Sequence, residues 1–139
     1  MITRIILPNH LRDQMIAHAR ENPDAECCGL LVGRGEGDLT VVKIHRARNI
    51  ADDTSKRFEI DPQEQFNLLR QTRGTDLRVI GHYHSHPHAL AQPSGYDVEM
   101  AHDPEAVWCI IGLKPDVLYA FVCADQTQGF KAIPITVAD

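Results

Sequence analysis

Five of the eight histidines, His82, His84, His86, His88 and His102, lie within 21 residues. The core of this group is Gly81-His82-Tyr83-His84-Ser85-His86-Pro87-His88, directly after the apolar run Leu77, Val79, Ile80. That placement predicts the end of a β-strand. Alternate strand residues share a face, so His84 and His86 point the same way, close enough to share one metal ion. Imidazole is a common zinc ligand, and Pro87 would stop the strand just past the second one. Downstream, Ser94 and Asp97 form S-x-x-D, which reads as a capping box with Ser94 as the N-cap of a short helix. A first-turn carboxylate can serve a metal at the same time, and Asp97 would add the negative charge that two neutral imidazoles lack. His82 shares the parity of His84 and His86 and is an alternative third ligand. His88 and His102 read as solvated, and His10, His18 and His45 as surface residues.

Three protein ligands on zinc leave one position for water, whose pKa the ion lowers to about 7. The HExxH pattern of one large class of zinc hydrolases is absent, so a hydrolytic site here is of another type. Amide hydrolysis also needs a group that moves the water proton to the leaving nitrogen. Glu26 is the candidate. It opens Glu26-Cys27-Cys28-Gly29-Leu30-Leu31-Val32-Gly33, where a loop enters a buried strand, and Gly29 permits a close backbone approach. Composition alone would leave Glu26 as a surface loop residue.

The elements that would carry these residues follow from periodicity and punctuation. Strands are predicted over 2–7, 28–33, 39–44, 57–60, 77–86, 107–113, 117–124 and 130–137. A helix follows Pro8-Asn9, with Leu11, Met15, Ile16 and Ala19 at helical spacing, and ends near Asn22-Pro23-Asp24. A second runs from Asp61-Pro62 to about Arg73, with Asp61 as cap, Pro62 in its first position and Phe66, Leu68 and Leu69 as its apolar side. A third, short helix spans 94–102. Residues 49–55 read as a polar loop. Strands joined largely by hairpins point to an α/β sandwich, a mixed and largely antiparallel sheet flanked by helices.

Composition narrows the function classes. The 139 residues suit a single domain over 1–139, with 43% hydrophobic and 24% charged residues, the balance of an ordinary globular chain. The net charge of −5 offers no basic surface for nucleic acid. No apolar run approaches the roughly 20 residues of a membrane span, and no basic-then-apolar leader opens the sequence; the expected place is the cytoplasm. Cys27, Cys28, Cys109 and Cys123 form no CxxC pair and read as small core residues.

Together these residues resemble the JAMM, or MPN+, metallopeptidases (the Mov34/MPN/PAD-1 group). That family's motif is a glutamate at an E-x-x-G-L-like strand start, then H-[ST]-H followed by proline, then S-x-x-D. Glu26-Cys27-Cys28-Gly29-Leu30 and His84-Ser85-His86-Pro87 match, and Ser94 and Asp97 stand eight and eleven residues after His86, as in the family. The resemblance implies a cytidine-deaminase-like sheet and one zinc ion per chain, bound by His84, His86 and Asp97. It implies that Glu26 holds the attacking water and shuttles its proton, and that Ser94 helps stabilise the oxyanion. The substrate implied is an amide or isopeptide bond after the Gly-Gly tail of a ubiquitin-like or sulfur-carrier β-grasp protein. The 42 residues after Asp97 look fully used by strands, which leaves no room for the insertion of chain-specific deubiquitinases; the small stand-alone bacterial members fit best. Two other readings stay open: a RadC-like nucleic-acid-associated protein, against which Ser85 and the negative charge speak, and a non-catalytic MPN scaffold, against which the intact ligand set speaks.

Overall fold

A computed structural model describes residues 1–139. The strands are β1 (Arg4–Pro8), β2 (Cys28–Gly35), β3 (Asp38–Ala47), β4 (Arg78–His86), β5 (Val107–Leu113), β6 (Asp116–Asp125), β7 (Gly129–Ile133) and β8 (Ile135–Ala138). The helices are α1 (Asn9–Arg20), α2 (Pro62–Thr72) and α3 (Gly95–Met100). All strands join one sheet in the order β7-β6-β5-β4-β2-β3-β1-β8. Its pairing is mixed: β1–β3, β1–β8 and β4–β5 run parallel, and the other neighbours antiparallel.

The expected final strand over 130–137 is two strands, and they lie at opposite edges of the sheet. Pro134 divides them. It has no N–H to give a ladder, and its own carbonyl accepts from Ile5 N. In a flat sheet seven inter-strand steps would separate those edges by roughly 33 Å, yet one residue joins them. The sheet therefore curls round on itself. Helix α1 packs in the concavity against β1, β3, β4 and β5, where Leu11, Met15, Ile16 and Ala19 meet Ile5, Leu7, Leu31, Val41, Tyr83, Cys109 and Ile111 in the main core.

Three other expectations change. His18 is buried rather than on the surface, its Nδ1 2.8 Å from the Tyr83 hydroxyl; a partner 65 residues away supplies the hydrogen bond that burial of a polar ring demands. Residues 57–60 form no strand, because only an isolated bridge, Asn49 to Ile60, pairs them. On α2 only Leu68 is buried among the three apolar residues, packing on Leu30 and Val32, while Phe66 and Leu69 are exposed. The expected cap of α2 is present, with Asp61 accepting from Gln63 N and Pro62 following it. All four cysteines are buried and free, as core residues should be. No helix is long and apolar enough to cross a membrane.

Strand β4 sets the site. Its register against β2 shifts between Leu31 and Val32, with Leu31 opposite Gly81 and Val32 opposite Val79, so Ile80 is the extra residue of a bulge. Beyond it the alternation is regular. Tyr83 faces the main core with α1, and His82 and His84 face the opposite side, near Trp108 of β5.

Candidate metal centre

His84 and His86 project from the outer face of β4, and Asp97 reaches them from the first turn of α3. The three facing atoms form a near-equilateral triangle. His84 Nε2 lies 3.1 Å from His86 Nε2, and Asp97 Oδ2 lies 3.3 Å from each. Tetrahedral ligands held 2.0–2.1 Å from zinc stand about 3.3–3.4 Å apart, so the triangle has the size of one face of a zinc tetrahedron. His84 is fully buried, His86 and Asp97 nearly so.

Proton accounting supports a cation at this point. His86 Nδ1 stands 2.8 Å from the Leu90 carbonyl, an acceptor only, so Nδ1 carries the hydrogen and the neutral ring turns a lone pair on Nε2 toward the triangle. Burial lowers the His84 pKa against the pull of Asp97, which keeps that ring neutral as a ligand must be. Burial also opposes charge on His86, yet Asp97 and the Leu90 carbonyl raise its pKa overall. Burial works against ionisation of Asp97 too, but hydrogen bonding to His84 and His86 holds its carboxyl well below the usual range. Three acceptors face one point, in surroundings that draw positive charge to it, and could hold a metal ion; Glu26, His84 and His86 also form a group whose ligand atoms lie close enough together to do so.

Asp97 is held for this task by α3 itself. Ser94 Oγ accepts from Asp97 N at 3.0 Å, and Asp97 Oδ2 accepts from Ser94 N at 2.9 Å, the reciprocal cap expected from S-x-x-D. The Ser94 hydroxyl proton remains free to donate.

Glu26 enters from the loop before β2. It is buried rather than on the surface, and its carboxylate oxygen and the ring nitrogens of His84 and His86 lie within 4.8 Å of one another. Oε1 has no hydrogen-bond partner, so a water or a substrate group is needed to satisfy it. Burial lifts its pKa to about 7, with Asp97 adding to the rise and His86 opposing it. That value suits a group that must both take and give a proton near neutrality.

Several residues hold this arrangement in roles that the sequence did not reveal. Ser85, whose parity turns it away from the histidines, accepts from Cys27 N at 2.9 Å, and its own N–H bonds Cys27 O at 3.1 Å. It thereby fixes the residue after Glu26. Phe58 stacks on His84 with ring centroids 4.2 Å apart, and Trp108 meets His84 edge-on. These rings cover His84, whose Nδ1 has no hydrogen-bond partner. His82 is not part of the ligand triangle. It packs edge-on against Trp108 at 4.3 Å, with burial lowering its pKa to about 3. His88 and His102 are exposed, as expected.

The family model described as prokaryotic homologs of the JAB domain matches residues 8–124. The chain belongs to this family. Among JAB relatives, the desampylase of Haloferax volcanii is 35% identical over 112 residues, which are 78% of this chain and 80% of the relative. The CysO-cysteine peptidase of Mycobacterium tuberculosis is 28% identical over 110 residues, 79% of this chain and 74% of the relative. The solution structure of protein DSY2949 from Desulfitobacterium hafniense superposes with a TM-score of 0.86 at 30% identity, covering 97% of this chain and 93% of that one. The JAB domain here is thus an enzyme of the JAMM peptidase type, and the matched stretch contains Glu26, His84, His86, Ser94 and Asp97.

Proposed function

We propose that this chain is a zinc-dependent peptidase that hydrolyses the amide or isopeptide bond after the C-terminal Gly-Gly tail of a ubiquitin-like or sulfur-carrier β-grasp protein, with residues 1–139 acting as one domain. The observation that carries the reading is the triangle of His84 Nε2, His86 Nε2 and Asp97 Oδ2 with the partnerless Glu26 carboxylate beside it. The names of relatives, a desampylase and a CysO-cysteine peptidase, support a carrier-protein conjugate as the substrate class.

His84, His86 and Asp97 would hold the ion. Bound there, zinc would polarise the scissile carbonyl and acidify a water at the open position. Glu26 then accepts the proton of the attacking water at its carboxylate and returns it to the leaving nitrogen, so that the C–N bond breaks with a neutral amine. The Ser94 hydroxyl donates to the carbonyl oxygen as negative charge develops on it. A cleft of about 910 Å³ begins at His82 and Trp108 and is walled by Ile60, Leu69 and Met100. Its lining includes none of Glu26, His84, His86, Ser94 and Asp97 and comes nearest to them on β4 at His82, two residues before His84, where an extended tail would approach the site.

The test is cleavage of a β-grasp carrier whose Gly-Gly end is joined to an amino acid or a lysine side chain. The wild-type, zinc-loaded protein should release the carrier. Glu26→Gln should keep one zinc per chain and lose roughly 10²–10⁴-fold in kcat. Cleavage that survives this substitution would overturn the mechanism.

A further inference from the structure

The loop between Asn49 and Ile60 does two things at the site: it carries Phe58, which stacks on His84, and its Thr54 carbonyl accepts from Glu26 N at 2.7 Å. One side chain pins that loop. The Asn49 amide Nδ2 donates to Glu26 O at 2.9 Å and to Arg57 O at 3.0 Å. Its Oδ1 accepts from Ala51 N and from Glu59 N, each at 3.0 Å. An asparagine amide has two donor hydrogens and two acceptor lone pairs, so every one is used. The two acceptor bonds close the loop on itself. One donor bond ties the loop's far arm at Arg57, next to Phe58, and the other ties the Glu26 main chain.

No other residue type supplies this set. Aspartate matches the shape but has no hydrogens to donate. Glutamine places its amide one methylene further out. Alanine makes none of the bonds. The mechanism proposed above uses only the Glu26 carboxylate and does not account for a saturated amide on its main chain.

From this geometry we infer that Asn49 is a positioning residue: it fixes the main chain of Glu26 relative to His84 and His86 and holds the Phe58 wall against His84 through the same four bonds. Ser85, which accepts from Cys27 N, grips the other end of that same Glu26–Cys27 peptide unit from the β4 side. Glu26 is thus clamped between a strand and a loop, where a free loop residue would sample positions ångströms apart. The role rests on the proposed function for its kinetic consequence, although the clamp itself is a property of the fold.

The two donor bonds and two acceptor bonds can be separated. Asn49→Asp keeps the volume and both acceptor bonds but cuts the ties to Glu26 and Arg57; Asn49→Ala cuts all four. In zinc-loaded Asn49→Asp, with one zinc per chain retained, kcat on the carrier conjugate should fall about 100-fold, the penalty of an ångström-scale misplacement, while KM stays within about twofold. Amide hydrogen exchange at Glu26 should accelerate at least about tenfold, with Cys109 and Ile111 of β5 unchanged. Asn49→Ala should add faster exchange at Ala51 and Glu59. Wild-type kcat in Asn49→Asp, or exchange that rises equally at Glu26 and in β5, would overturn the assignment, as would a defect confined to KM. If the wild type cleaves no conjugate, the peptidase reading falls, and exchange at Glu26 still decides the role of Asn49. If Asn49→Ala does not fold, the isosteric Asn49→Asp carries the test by itself.

Discussion

Ser94 shows how one side chain can hold two roles that a single measurement would confuse. Its oxygen accepts from Asp97 N, which is worth about 1 kcal/mol as a helix cap, and its hydroxyl is left available to donate. Ser94→Ala should therefore lower stability by about 1 kcal/mol and, at temperatures where the variant is fully folded and zinc-loaded, lower kcat by about 10²-fold. Denaturant titration and kinetics on the same preparation check both halves. A kcat that matches wild type once folding is complete would leave Ser94 a cap alone. Much at this scale was legible in the sequence. The parity of His84 and His86 and the capping box of Ser94 and Asp97 are local, so spacing reveals them. The burial of Glu26 and the duties of Asn49 and Ser85 are not local. Asn49 reaches Glu26 across 23 residues and Ser85 reaches Cys27 across 58, and no periodicity encodes such contacts.

At the scale of elements, the β2–β4 ladder sets the distance between Glu26 and the histidines. Gly29 stands opposite Tyr83, and a Cβ at Gly29 would overlap the Tyr83 ring. The glycine is thus a slot for an aromatic ring whose hydroxyl meets His18 of α1. Gly29→Ala should cost about 1–3 kcal/mol through overpacking and should weaken zinc binding, because a shift of the Tyr83 ring moves the β4 backbone that carries His82 and His84 on the opposite face. Tyr83→Ala leaves a cavity and an unpartnered His18, at about 3–5 kcal/mol. The double variant should be more stable than the sum of the two losses predicts by about 0.5–3 kcal/mol, since the slot and the ring are removed together. Urea denaturation of the four proteins measures this coupling, and strict additivity would mean that the ring does not fill the slot. The sequence shows a glycine near a strand start, but the ring it accommodates is identified only once β2 and β4 are paired in register. The splitting of 130–137 is hidden for a similar reason. The apolar pattern runs through Pro134, and only closure of the whole sheet sends its two halves to opposite edges.

At the scale of the whole molecule, the proposed metal ligands join a robust part to a fragile one. His84 and His86 belong to the middle of the curled sheet, between β2 and β5. Asp97 belongs to α3, six residues long, far below the length at which a helix stands by itself. Besides its cap, α3 is held from the β6–β7 turn by the Gln126 side chain, which donates to Val98 O and Glu99 O, and by Asp97 facing the histidines. An ion shared between β4 and α3 would therefore stabilise the segment from Pro87 to Asp103 far more than the sheet. Free zinc at a hundred times its dissociation constant adds about 2.7 kcal/mol to the folded state, which for a chain of this size raises Tm by about 9 °C. Glu26→Gln, which leaves His84, His86 and Asp97 in place, should keep that zinc-dependent rise, and His84→Ala should abolish it. Removing the metal by chelation should speed amide exchange between Pro87 and Asp103 while β2, β4 and β5 keep their protection. Equal zinc-dependent shifts in wild type and His84→Ala would place the ion elsewhere. Exchange that rises evenly through the sheet would show instead that α3 and the sheet unfold as one unit, with the metal joining nothing that was separately unstable.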